Sequence, residues 1–80
     1  MNMSLVSRLL QEKGVVTHAN SVRTTAMYFQ LWKEGESFDL TKRQVQVHRS
    51  RLRKIGIDIA VPYTESFDRI FTEEFGAKAD

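Results

Sequence analysis

Lys42-Arg43-Gln44-Val45-Gln46-Val47-His48-Arg49-Ser50-Arg51-Leu52-Arg53-Lys54 holds six cations and no acid in thirteen residues. On a helical wheel of about 100° per residue, Val45, His48, Leu52 and Ile55 fall within one sector about 80° wide. Arg43, Gln46, Ser50, Arg53 and Lys54 fall opposite, with Val47 among them, and Arg49 and Arg51 stand at the borders. One side can therefore pack while the other carries charge into solvent, the signature of an amphipathic helix. Thr41 with Gln44 three residues on has the capping-box pattern that would start it. A helix with so narrow an apolar sector needs partner helices to cover it, which makes the fold mainly α.

The partners are legible on either side. Glycines at 14, 35, 56 and 76 each follow a segment of helical periodicity, where a left-handed C-terminal cap is expected. A first helix over about Met3–Lys13 lines up Leu5, Val6, Leu9 and Leu10, with Arg8 and Glu12 paired on its outer side. A second, from Ser21 or Val22 to Glu34, shows Val22, Thr25, Phe29 and Trp32 on one face, widened by Met27, Tyr28 and Leu31. A last helix over about Glu65–Phe75 places Phe67, Ile70, Phe71 and Phe75 together, with Asp68, Glu73 and Glu74 outward; residues 76–80 should fray. The β-prone run Val15-Val16-Thr17 and the alternation Ile57-Asp58-Ile59-Ala60-Val61 before Pro62 allow a small two-stranded β element. The expected fold is one small domain over residues 1–80: about four short helices, that element, and a helix-turn-helix-like pair formed by the second and third helices. Their joint, Gly35-Glu36-Ser37-Phe38-Asp39-Leu40, exceeds the usual turn, and Phe38 and Leu40 are expected to plug the core.

Composition narrows the function classes. The chain has 80 residues, 41% of them apolar, and no cysteine, so neither disulfides nor thiolate metal sites staple it. A domain this small buries only about 60% of its unfolded surface. No apolar run reaches the roughly 20 residues of a membrane span, and the start lacks a secretory signal; a soluble protein of a reducing compartment is expected. The net charge of +2 conceals opposed blocks: residues 1–41 sum to zero, residues 42–54 to +6, residues 55–80 to −4. Local charge separation of that kind marks an electrostatic function.

Lys and Arg on the free face of the third helix suit phosphate, Arg also suits guanine edges, and Gln suits adenine. Lys42, Arg43, Gln46, Arg49, Ser50, Arg53 and Lys54 are the expected nucleic-acid contacts. The first-turn amides at Thr41, Lys42 and Arg43 are offered to a phosphate. Against this stands an ordinary solvated surface helix, and cations near a helix C-terminus also answer the macrodipole; that explains Arg51, Arg53 and Lys54 but not Lys42 and Arg43. His48 falls on the packed side and reads as a satisfied core histidine, and His18 has no ligand partner at metal spacing. Tyr28, Phe29 and Trp32 read as core rather than as a nucleophile or a stacking platform. No catalytic residues, metal or cofactor are expected.

The stretch Tyr28-Phe29-Gln30-Leu31-Trp32-Lys33-Glu34-Gly35, followed by Val47-His48-Arg49-Ser50-Arg51-Leu52-Arg53-Lys54-Ile55-Gly56-Ile57-Asp58-Ile59, resembles the C-terminal region of the filamentous-phage gene II/gene X replication proteins. The resemblance spans about residues 20–62. It implies a phage replication role in the bacterial cytoplasm: gene II proteins nick the origin, while gene X proteins, the separate C-terminal piece, bind single-stranded DNA and tune replication. The Met-Asn start and short length are similar to a gene X product. No nicking residues carry over, and the acidic last helix has no counterpart in the resemblance. Two other roles fit the residues. One is a protein-interaction module docking through residues 65–75; the other is a sequence-specific repressor. Single strand or duplex, sequence specificity, and monomer or dimer stay open.

Overall fold

The computed structural model describes residues 3–76, and the order of elements follows the glycines. Helix α1 runs Met3–Glu12, α2 Ala19–Lys33, α3 Arg43–Arg53 and α4 Glu65–Phe71, the last continuing into a π-helical turn, Thr72–Gly76. Gly14, Gly35 and Gly56 all have positive φ. Each helix they end closes with the same pair of bonds. Val15 N–H reaches Leu10 O at 3.0 Å, Glu36 N–H reaches Leu31 O at 3.0 Å and Ile57 N–H reaches Leu52 O at 3.0 Å, with the glycine N–H bonded one step inside. This is the Schellman closure, which satisfies carbonyls the helix end leaves orphaned. At Gly56 it also turns the chain so that Ile57 enters the core with no exposed surface.

α1 and α3 both pack on α2. Leu5, Val6, Leu9 and Leu10 meet Val22, Ala26, Phe29 and Trp32, and Val45, Leu52, Ile55, Ile57, Ile59 and Phe71 complete the core. α4 starts at Thr64, whose hydroxyl accepts from Phe67 N–H at 3.1 Å, a side-chain N-cap. Its Phe67 sets its ring edge-on to Trp32 at 5.0 Å and stacks on Phe71 at 5.5 Å.

Several expectations need correction. No strand forms among the described residues. The Val15 and Val16 amides both point back to Leu10 O, closing α1 instead of pairing with a neighbour. In the second candidate the alternation is real as burial, since Ile57 and Ile59 are buried and Asp58 is not. Its polar groups, however, have other partners. The Asp58 carboxylate accepts from Ala60 N–H at 3.0 Å, Val61 N–H reaches Asp58 O, and Val61 O accepts from the Trp32 indole at 2.6 Å. A side-chain turn and an indole have replaced the ladder.

α3 begins one residue late. Asp39 captures Thr41 through both its amide (3.0 Å) and its hydroxyl (2.6 Å), so the N-cap is Lys42, which makes no side-chain cap bond. α2 starts earlier than expected, at Ala19. Met27 and Leu31 do not widen its buried face; they are exposed, as are Leu40 in the linker and Ile70 in α4. Of the two linker plugs only Phe38 packs, its ring 5.4 Å from Tyr28. Asp68 is half-buried, not outward. The Phe75 side chain and residues 77–80, expected to pack and to fray, lie outside the described residues.

Candidate nucleic-acid interface

The basic helix divides as its wheel requires. Val45, His48 and Leu52 are buried, as is Ile55 just beyond the helix, while Arg43, Gln46, Val47, Ser50 and Arg53 on it and Lys42 and Lys54 at its ends are exposed. Inside, the Thr25 hydroxyl lies 2.8 Å from His48 Nδ1, and Arg51 Nη1 donates to the same hydroxyl at 3.3 Å. The guanidinium can only donate, so the Thr25 hydroxyl accepts from Arg51 while sharing a second hydrogen bond with His48 Nδ1. Tyr28 stacks on the ring at 4.4 Å. Burial, with the Arg51 charge second, holds the His48 pKa below its ordinary value. This chain of contacts fixes α3 on α2 and so fixes which way its cations face.

The border residues are tied down. Arg49 Nε donates to Asp58 Oδ1 at 3.0 Å and its Nη2 to Oδ2 at 3.4 Å. This fork joins α3 to the turn that follows it. The Arg49 hydrogen bond also keeps the Asp58 carboxyl below its ordinary pKa. Lys42, Arg43, Arg53 and Lys54 make no side-chain hydrogen bond or ion pair within the described residues. Gln46, Arg49, Ser50, Arg53 and Lys54 line one shallow open depression along the outer side of α3. Five of the seven expected contacts are thus brought together, and Lys42 and Arg43 stand at the N-terminal end of the same helix.

Two details were missed in the sequence. Gln46 Nε2 donates to Leu40 O at 3.0 Å, so its amide is partly engaged by the linker. The Thr41 and Lys42 amides, offered to a phosphate, already bond Asp39. Asp39 two residues ahead of Thr41 was the available signal, an Asx turn written in the sequence. Among the described residues no group of three or more His, Asp or Glu side chains is placed to hold a metal, and no helix is long and apolar enough to cross a membrane.

The profile of the family described as the C-terminal part of the replication-associated gene II protein matches residues 10–70, three quarters of the chain and all of α2 and α3. The chain belongs to this family. A curated member, the replication-associated gene II protein of Escherichia phage If1, is 52% identical over 60 residues, which make up 75% of this chain and 19% of that protein. This family member thus corresponds to a minor part of that relative's length. The resemblance carried by Tyr28–Gly35 and Val47–Ile59 falls inside the matched region. No solved structure matches the chain.

Proposed function

We propose that this chain is a non-enzymatic DNA-binding module acting in phage DNA replication, with the outer face of α3 as its phosphate-binding surface. Lys42, Arg43, Arg53 and Lys54 take phosphates, and Gln46 and Ser50 lie nearest the bases. The observation that carries this is the sorting of cations. Arg49 and Arg51 are spent on Asp58 and Thr25, while four others on the same helix or at its ends make no side-chain hydrogen bond or ion pair within the described residues. Four such cations along one rigid helix form a field that a polyanion answers at low entropic expense. Membership in a family of replication-associated proteins supports the setting.

A protein-docking role for α4 has less to work with. Phe67 and Phe71 face Trp32 and the core, leaving Ile70 as the exposed apolar residue of that helix. The deciding experiment is a titration of the purified chain with labelled DNA at several salt concentrations. Affinity falling steeply with salt is expected, and a log–log slope near zero overturns the proposal, because neutralised phosphates must release counterions.

A further inference from the structure

The basic depression has a neighbour of opposite character. A cleft of about 270 Å³ opens between the C-terminal end of α2, the linker and the turn after α3, lined by Trp32, Phe38, Leu40, Val61, Pro62 and Tyr63 among others. Glu36 also lines it, and no cation does. The two concavities meet at one hydrogen bond: Gln46 lines the depression, and the Leu40 carbonyl that accepts its amide belongs to a residue lining the cleft. Asp58, clamped by Arg49 of the depression, holds the start of the turn that forms the far wall. The rims are open, with Leu40 39% and Val61 54% exposed, and Phe38 and Tyr63 are half-buried.

We propose that this cleft receives one unstacked base of a single DNA strand whose phosphates lie on the outer face of α3. The inference rests on the DNA-binding role proposed for that face and adds a base site to it. Phosphate is excluded from the cleft because Glu36 stands there without a compensating cation. A neutral planar group is not, and aromatic walls beside a basic track are the arrangement by which single strands are held through stacking. The volume lies just under the roughly 300–1,000 Å³ of small-molecule pockets, room for one ring system and not for a stacked pair. A base inside a duplex, covered on both faces by its neighbours, cannot enter.

The chain has one tryptophan, and it lines the cleft, so its emission reports occupancy. The test compares a thymidine oligomer of about ten nucleotides, long enough to span the face of α3 and the cleft, with an abasic strand of equal length and with a duplex. The thymidine strand is expected to bind about tenfold more tightly than the abasic one, the effect of one stacked base. Trp32 emission should change with the thymidine strand alone, and the two single strands should show equal salt slopes. Phe38→Leu keeps apolar volume while removing the ring. It should bring thymidine affinity down to the abasic level, leave abasic affinity unchanged, and keep a cooperative unfolding transition. Equal affinity for both strands with unchanged emission overturns the base site and leaves the phosphate surface standing. Failure of all three probes to bind overturns both.

Discussion

At the scale of single residues, the six cations of the basic stretch divide by partner, and the division can be read out separately. Arg53→Ala removes a cation that makes no side-chain hydrogen bond or ion pair, so DNA affinity should drop and the log–log salt slope should flatten by about one unit, with the unfolding midpoint nearly unchanged. Arg49→Gln should do the reverse. It breaks the fork to Asp58, so the midpoint should fall while the salt slope stays where it was. His48 gives the molecule a response to mild acid, above the range in which its carboxylates titrate. Its pKa is depressed in the folded state, so the unfolded chain binds the proton more readily. The stability it contributes is complete above the unfolded value of about 6.5 and is lost as pH falls through the lower folded value. The thermal midpoint should therefore decline as pH falls below about 6.5. The decline should flatten in His48→Gln, which retains a hydrogen-bonding group for Thr25 but does not titrate.

Among the elements, the helices were legible because their information is local. Apolar spacing placed α1, α2 and α4, the wheel of α3 sorted its faces, and glycine marked three helix ends where a positive φ is used. Gly56→Ala should cost about 1 kcal/mol for that backbone conformation, lowering the midpoint by roughly 4–8 °C in a domain this small; the added methyl itself meets Phe71 only at ordinary contact distance. What was not legible depends on partners distant in sequence. The Trp32 indole reaching Val61 O is 29 residues away, and that bond, with the Asp58 turn, converts an alternating run into a loop. The capping box failed for a nearer reason: Asp39 competes for Thr41. For the candidate interface, the wheel sorted buried from exposed residues, but only the Asp58 and Thr25 contacts separate arginines engaged by the fold from those that are not. For α4 the acidic, Phe-rich pattern left open a helix that docks a partner. Phe71 is 4% exposed and Phe67 sits on Trp32, so removing residues 64–80 should unfold the domain. A red-shifted Trp32 emission and loss of cooperative melting would register this; a truncated chain that melts cooperatively would restore α4 as an appendage.

Across the whole molecule, charge and shape act together. The Cα envelope measures 37 × 29 × 16 Å, its short axis that of about two packed helix layers, with axes about 8–10 Å apart and Cα atoms about 2.3 Å from each. A body so thin has little interior to spare, and arginines at the border of α3 are enlisted to hold it. The formal charge of the basic block is +6, yet the number of cations free to meet phosphate is smaller. If Lys42, Arg43, Arg53 and Lys54 each neutralise one phosphate of a single strand while Arg49 and Arg51 keep Asp58 and Thr25, the log–log salt slope should be about −3. If all six reach phosphate, the slope should approach about −4, and the fold would have to surrender its clamp on α3 in order to bind. The slope should therefore be measured on the intact chain and again on Asp58→Asn, which loosens the Arg49 clamp. A slope near −3 that steepens in the variant is the expected result. A slope already near −4 in the intact chain would mean that Arg49 and Arg51 exchange partners on binding, and that the face of α3 is remade by its ligand.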